Sequence, residues 1–287
     1  MDNPKKQLAI IGNPIAHSHS PLIHHALSKL TDQNYTYTPY QVEPQNLREW
    51  LEFARETHIC GFNVTIPHKT TIIPLLDQAT LEAKTIGAVN TVVQTEGKLS
   101  GYNTDTAGFL LALKEKNYSL QDKNALILGS GGVAKAVAFA CMSESAKITI
   151  ISIDQSTAKE IQDQFSLPYN PINIVTWNLK NLIQYASKAD ILIQATPLGM
   201  KHFNCDFENL DFLKELPSHA LVYDLIYTPK TTKLLAEAKS LGLNTINGLP
   251  MLIYQAILAY EIFTGLTLDH AALAKKIKQI LQKELGE

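Results

Sequence analysis

Four polar segments near the N-terminus carry side chains suited to binding a small anion and handling its protons. They are "HSHSP" (17–21), "NVTIPHK" (63–69), "GAVNT" (87–91) and "GYNTD" (101–105). Together they supply Ser18, Ser20, Thr65, Lys69, Asn90 and Asp105. Serine and threonine hydroxyls can hold a carboxylate, and Asn, Lys and Asp can bracket alcohols. The set suits a polyhydroxylated anion. Taken singly, each residue has a plainer reading. Asn90 and Asn103 brace turns, Ser20 before Pro21 caps a helix, and a lone lysine is a solvated surface residue. The opening stretch "GNPIAHSHSPLIHH" (12–25) also holds four histidines. No cysteine lies near them and no HExxH pattern occurs, so no metal site is expected.

A second chemical signal is "LILGSGGVAKA" (126–136), where Gly129, Gly131 and Ala134 fall at the spacing of the dinucleotide fingerprint. It follows an apolar run and opens a helical pattern. Gly129 permits the tight turn, Gly131 lets the backbone approach a pyrophosphate, and the helix N-terminus offers free N–H groups. Gly129, Ser130, Gly131, Gly132, Val133 and Ala134 are therefore the expected cradle. An ordinary glycine-rich strand-to-helix turn is the competing reading. The next strand ends in Ser152-Ile153-Asp154. An acid there can accept hydrogen bonds from the adenine ribose, which favours NAD. An NADP site usually offers arginine, and none is near. Asp154 facing a 2′-phosphate would cost on the order of 1–4 kcal/mol, depending on solvent access. Two alternatives stand beside this: Asp154 caps the following helix, or Lys159 swings in to hold a phosphate.

The elements that must position these residues alternate between short apolar runs and helical patterns. "LAII" (8–11), "YTYTPYQV" (35–42) and "ICGFNVTI" (59–66) read as strands, with helices from Ser20-Pro21 and through Leu47, Trp50 and Leu51. "AVNTVVQTEGKLSGYN" (88–103) reads as a hairpin turning at Glu96-Gly97, and a helix starts at or after Asp105. A second series has strands at "ALILG" (125–129), "ITIISI" (148–153), "ILIQAT" (191–196), "ALVYDLIY" (220–227) and "NTING" (244–248), separated by helices. Such alternation predicts an α/β protein with parallel sheets covered on both faces. We place one α/β domain at 1–104, a Rossmann-type doubly wound domain at 105–246, and C-terminal helices from 247–287 that return to the first domain.

The chain has 287 residues, 45% of them hydrophobic and 18% charged, with a net charge of −2. No basic excess points to nucleic acid or an anionic membrane, and no apolar stretch is long enough to span a bilayer. Cys60, Cys141 and Cys205 form no CxxC pair, which fits a reduced, cytoplasmic protein.

Taken in order, these segments resemble the shikimate dehydrogenase family across nearly the whole chain. "GNPIAHSHSPLIHH" is similar to the family's opening signature. "GFNVTIPHK", "IGAVNT" and "GYNTD" are similar to its substrate and catalytic segments, and "LGSGGVAKA" to its glycine loop. "ATPLGM" (195–200), "YTP" (227–229) and "GLPMLIYQA" (248–256) complete the set. The resemblance implies a shikimate-binding domain and a cofactor domain. It also implies reversible hydride transfer between a nicotinamide dinucleotide and shikimate or 3-dehydroshikimate. By position, Ser18 and Ser20 would hold the carboxylate, and Thr65, Asn90 and Gln255 the ring substituents. Lys69 and Asp105 would be the catalytic pair. Tyr227 would lie beside the substrate, with Thr196 and Gly248 on the cofactor side. In this chemistry a lysine can exchange a proton with the reacting oxygen while an aspartate orients it by charge-assisted hydrogen bonds.

Departures from the family pattern bear on the cofactor and substrate. The family default is NADP, yet Ser152-Ile153-Asp154 replaces the usual Asn-Arg-Thr-like segment, which leans toward NAD. His25 stands where asparagine is common, and Thr231 where glutamate is common. The serines at both 18 and 20 lean toward shikimate over quinate. The leading expectation is a biosynthetic enzyme of the shikimate pathway, as a monomer or homodimer. A catabolic NAD-dependent quinate/shikimate dehydrogenase is the second reading. A catalytically silent sensor of shikimate-like ligands is the third.

Overall fold

The computed structural model describes residues 6–285 except 202 and 204. The chain divides into two compact units: one runs to Gly108 and resumes at Leu252, and the other spans Phe109–Met251.

In the first unit the strands are β1 (Lys6–Gly12), β2 (Tyr35–Gln41), β3 (Gly61–Val64), β4 (Gln78–Ala79), β5 (Thr91–Thr95) and β6 (Lys98–Tyr102). They form one sheet in the order β2-β1-β3-β5-β6-β4. β1 is parallel to β2 and β3, whereas β5 runs antiparallel to β3 and β6. Glu96 and Gly97 both have positive φ, so the β5–β6 hairpin closes with the two-residue turn its sequence predicts. The helices are α1 (Ser20–Leu30), α2 (Leu47–Glu56), α3 (His68–Thr71) and α4 (Leu81–Ile86), followed by α5 (Asp105–Glu115), whose first turn belongs to this unit. One sheet face packs Ala9, Ile11, Phe62, Val92 and Leu99 against Trp50, Leu51 and Ala54 of α2. On the other, His24 of α1 stacks on Tyr37 at 4.1 Å, and Phe263 lies over Gly61, whose missing side chain leaves it room.

The second unit holds six parallel strands: β7 (Asn124–Leu128), β8 (Lys147–Ser152), β9 (Asn173–Thr176), β10 (Ile191–Gln194), β11 (Leu221–Asp224) and β12 (Asn244–Ile246). Their order is β12-β11-β10-β7-β8-β9. This is the doubly wound Rossmann order, with its switch point between β7 and β10. β10 and β11 are buried along their full lengths because helices cover both faces. The helices are α6 (Gly132–Ser143), α7 (Gln155–Phe165), α8 (Leu179–Ala186) and α9 (Lys233–Ser240), followed by α10 (Leu249–Thr264), most of which lies in the first unit with α11 (His270–Leu285). The short elements β4, β9, α4, α8 and α9 escape a sequence reading. Each has too few residues to show a clear period.

Candidate functional site

In the first unit, the loop after β1 and the loop after β3 run side by side. The Thr65 N–H donates to Ile11 O at 2.9 Å and the Asn13 N–H to Ile66 O at 2.8 Å. This brings the Ser18–Ser20 turn and the Thr65–Lys69 segment to the carboxyl ends of parallel strands, where α/β sheets bind ligands. Ser20 does not cap α1; that position is His19, without a side-chain cap. Instead Ser18 Oγ accepts the Ser20 N–H at 3.2 Å. Burial pushes the Tyr37 hydroxyl well above its ordinary range, so it stays protonated. Burial, aided by His25, lowers His24 to about 3, leaving it a neutral packing group. Among the described residues no cluster of potential metal ligands forms.

Lys69 and Asp105 meet. Lys69 Nζ donates to Asp105 Oδ2 at 2.6 Å, and their side chains are only 14% and 5% exposed. Asn90 Nδ2 donates to the other carboxylate oxygen, Asp105 Oδ1, at 2.9 Å and to Gln255 Oε1 at 3.3 Å. Asn90 is thus no simple turn brace. Asn103 is one: its Oδ1 accepts the Asp105 N–H at 2.9 Å and starts α5, while its Nδ2 bonds Ala88 O. A buried ion pair of this kind is an ordered, desolvated acid–base unit at a loop–helix junction.

In the second unit, the glycine turn follows β7 at the switch point. Gly129 has φ +102°, which a side chain would strain, and a Cβ there would meet Thr196 Cγ2 at 2.8 Å. Gly131 starts α6 in extended conformation, and a Cβ there would meet nothing within 4 Å. No protein atom requires glycine at 131, so the open space above it fits a bound pyrophosphate. Gly132, Val133 and Ala134 form the first turn of α6, whose N–H groups suit an anion. The Ser130 hydroxyl points inward to Ser152 Oγ at 2.8 Å and to the Thr157 hydroxyl, fastening the loop to the end of β8. Thr196 is held by Gln194 Oε1, which accepts from both its N–H and its hydroxyl.

Of the two readings of Asp154, ribose acceptor and helix cap, the structure shows the contacts of the cap. Its Oδ1 accepts the N–H groups of Ser156 at 2.9 Å and Thr157 at 3.1 Å, so it is the N-cap of α7. Lys159 is engaged by Gln162 and Asp163. Tyr227 is half-buried in the loop after β11. Gly248 approaches that loop so closely that a Cβ would lie 1.9 Å from Leu225 O. Sequence reasoning missed Asp224, which anchors this loop. Fully buried, it accepts from Thr232 Oγ1 at 2.6 Å and from the Ile226 N–H at 3.0 Å. The only signal was an acid ending an apolar strand.

A doubly wound sheet with a glycine turn at its switch point, in one chain with a buried Lys–Asp pair, defines the class of two-unit α/β dehydrogenases. Residues 10–92 match the shikimate dehydrogenase substrate binding domain, 111–225 the shikimate / quinate 5-dehydrogenase family, and 248–278 the shikimate 5′-dehydrogenase C-terminal domain. A shikimate dehydrogenase (NADP(+)) of Methanococcus maripaludis is 39% identical over 96% of this chain and 98% of its own. The crystal structure of the Aquifex aeolicus shikimate dehydrogenase superposes with a TM-score of 0.85 at 34% identity, covering 96% of this chain and 99% of that one. The Thermus thermophilus enzyme in complex with NADP(H) and shikimate gives a TM-score of 0.83 at 32% identity, covering 96% and 100%. The chain belongs to the shikimate dehydrogenase family. The lean toward NAD finds no support in relatives named for, or bound to, NADP.

Proposed function

We propose that this protein is a shikimate dehydrogenase that interconverts shikimate and 3-dehydroshikimate with NADP, serving aromatic amino acid biosynthesis. The observation that carries the reading is the buried Lys69–Asp105 pair at 2.6 Å, with Asn90 on the second carboxylate oxygen. The first unit binds the substrate and the second the dinucleotide. Ser18 and Ser20 hold the carboxylate, while Thr65, Asn90 and Gln255 hold the ring hydroxyls, and Tyr227 is a further substrate-binding residue. NADP, when bound, supplies the hydride-accepting nicotinamide. The protein manages the proton. The reacting hydroxyl gives it up to the Lys69 Nζ–Asp105 Oδ2 pair as the alkoxide develops. Gly129, Ser130, Gly131, Gly132, Val133 and Ala134 cradle the pyrophosphate, with Thr196 and Gly248 toward the nicotinamide. Free Cys60, Cys141 and Cys205 fit a reduced, cytoplasmic setting.

The catabolic NAD-dependent reading drew on Asp154, whose Oδ1 caps α7, and the relatives named for NADP lend it no support. A silent sensor has no need of both an ordered Lys–Asp pair and a glycine turn of the dinucleotide type. Initial rates of shikimate oxidation with NADP and NAD in parallel, repeated with quinate, test the proposal. A preference for shikimate and NADP is expected. Efficient quinate oxidation with NAD would replace this reading with the catabolic one.

A further inference from the structure

Behind the Lys69–Asp105 pair lies a row of buried polar side chains whose donors all point the same way. The Tyr37 hydroxyl donates to Asn63 Oδ1 at 2.7 Å. Asn63 Nδ2 donates to Thr91 Oγ1 at 3.0 Å. The Thr91 hydroxyl donates to Asn90 Oδ1 at 3.0 Å, and Asn90 Nδ2 donates to Asp105 Oδ1 at 2.9 Å. Every member is 5% exposed or less.

Two main-chain groups force this polarity. The Asn90 carbonyl can only accept, and Asn63 Nδ2 donates to it at 3.1 Å, so the Asn63 oxygen must face Tyr37. The Thr104 N–H can only donate, and it reaches Asn90 Oδ1 at 2.8 Å, so the Asn90 amide nitrogen must face Asp105. Thr91 has one hydroxyl hydrogen. Having received the Asn63 N–H, it turns that hydrogen to Asn90. A chain of aligned donors polarises each successive bond. This one ends on the carboxylate oxygen that Lys69 does not hold.

We propose that Tyr37, Asn63 and Thr91 are positioning residues for the reaction, setting the Asn90 amide so that Asp105 is gripped at both oxygens. The inference rests on the dehydrogenase reading above. A carboxylate held at one oxygen can turn, and Lys69 turns with it. Gripped at both, it presents Lys69 Nζ in one geometry.

Thr91→Val removes the hydroxyl and keeps the shape. With shikimate and NADP it should lower kcat about tenfold while KM stays within about threefold, the size of one buried hydrogen bond acting at the transition state. Thr91→Ser restores the hydroxyl and should recover kcat to within about threefold of wild type. A merely structural role would lower the unfolding temperature and leave kcat per folded enzyme alone. A folded Thr91→Val with wild-type kcat overturns the inference. If that variant does not fold, Tyr37→Phe is measured instead. It breaks the head of the row, and should lower kcat about threefold. Wild-type kcat in that variant likewise overturns the inference. Wild-type protein unable to oxidise shikimate would sink the functional reading and this inference together. Normal wild-type activity with unchanged variants sinks the inference alone.

Discussion

Lys69 Nζ and Asp105 Oδ2 stand 2.6 Å apart although 36 residues separate them, one following β3 and the other opening α5. The pair is largely shielded from water, so Lys69 is held by Asp105, and Asp105 by Lys69 and Asn90. Removing Lys69 should therefore act on turnover more than on binding. For Lys69→Ala we expect kcat to fall about 10²–10⁴-fold, with KM changing far less. Steady-state rates at saturating shikimate check this, and near-normal turnover would remove Lys69 from the chemistry.

The Ser18–Ser20 turn is expected to hold the substrate carboxylate. Ser18→Ala and Ser20→Ala should each raise the KM for shikimate about three- to tenfold, with a smaller effect on kcat. Unchanged KM in both variants would place the carboxylate elsewhere.

Gly131 separates folding from cofactor binding. A methyl group there meets no protein atom within 4 Å. Gly131→Ala should unfold at nearly the wild-type temperature yet bind NADPH at least about tenfold more weakly, because the methyl occupies the pyrophosphate's approach. Fluorescence titration and thermal melts together decide it.

Asp154 should behave as a helix cap. Asp154→Ala should lower stability by about 1 kcal/mol. The NADP-to-NAD ratio of kcat/KM should move less than about threefold. A large swing in that ratio would restore a cofactor-reading role.

Asp224 links stability to pH. Burial raises its carboxyl from 3.8 to about 6, opposed by hydrogen bonds from Thr232 and Ile226. The folded protein then holds this proton more tightly than the unfolded chain. The contribution favours folding at low pH and is lost as pH rises between the two values. Relative to Asp224→Asn, which lacks this titration, the wild type should lose about 2 kcal/mol between about pH 4.5 and pH 8. Denaturant melts at the two pH values measure the difference. A difference that stays constant with pH would mean the carboxyl is unperturbed.

Features built from near neighbours were legible without a fold. The strand–glycine turn–helix at 125–142, the Glu96-Gly97 hairpin and the start of α1 at Ser20-Pro21 depend on local periodicity and turn chemistry, and the structure has them where those signals fall. The polar segments were legible for the same reason, as short runs of chemistry-bearing residues at strand ends. Asp154 shows the limit of local reading. A ribose acceptor and a helix cap predict the same residue at the same place, and only the fold shows its carboxylate on the first-turn N–H groups of α7.

What the sequence alone determined is therefore which residues lie on strands, which open helices and which sit at strand ends. The tertiary structure decided which of them touch. Asn90 meets Gln255 across 165 residues, and Tyr37 meets Asn63 across 26. An alternating pattern assigns a side chain to a face of a strand, but its partner depends on strand order and register. The same holds for Asp224, whose raised pKa comes from burial by segments that its own stretch of sequence does not contain.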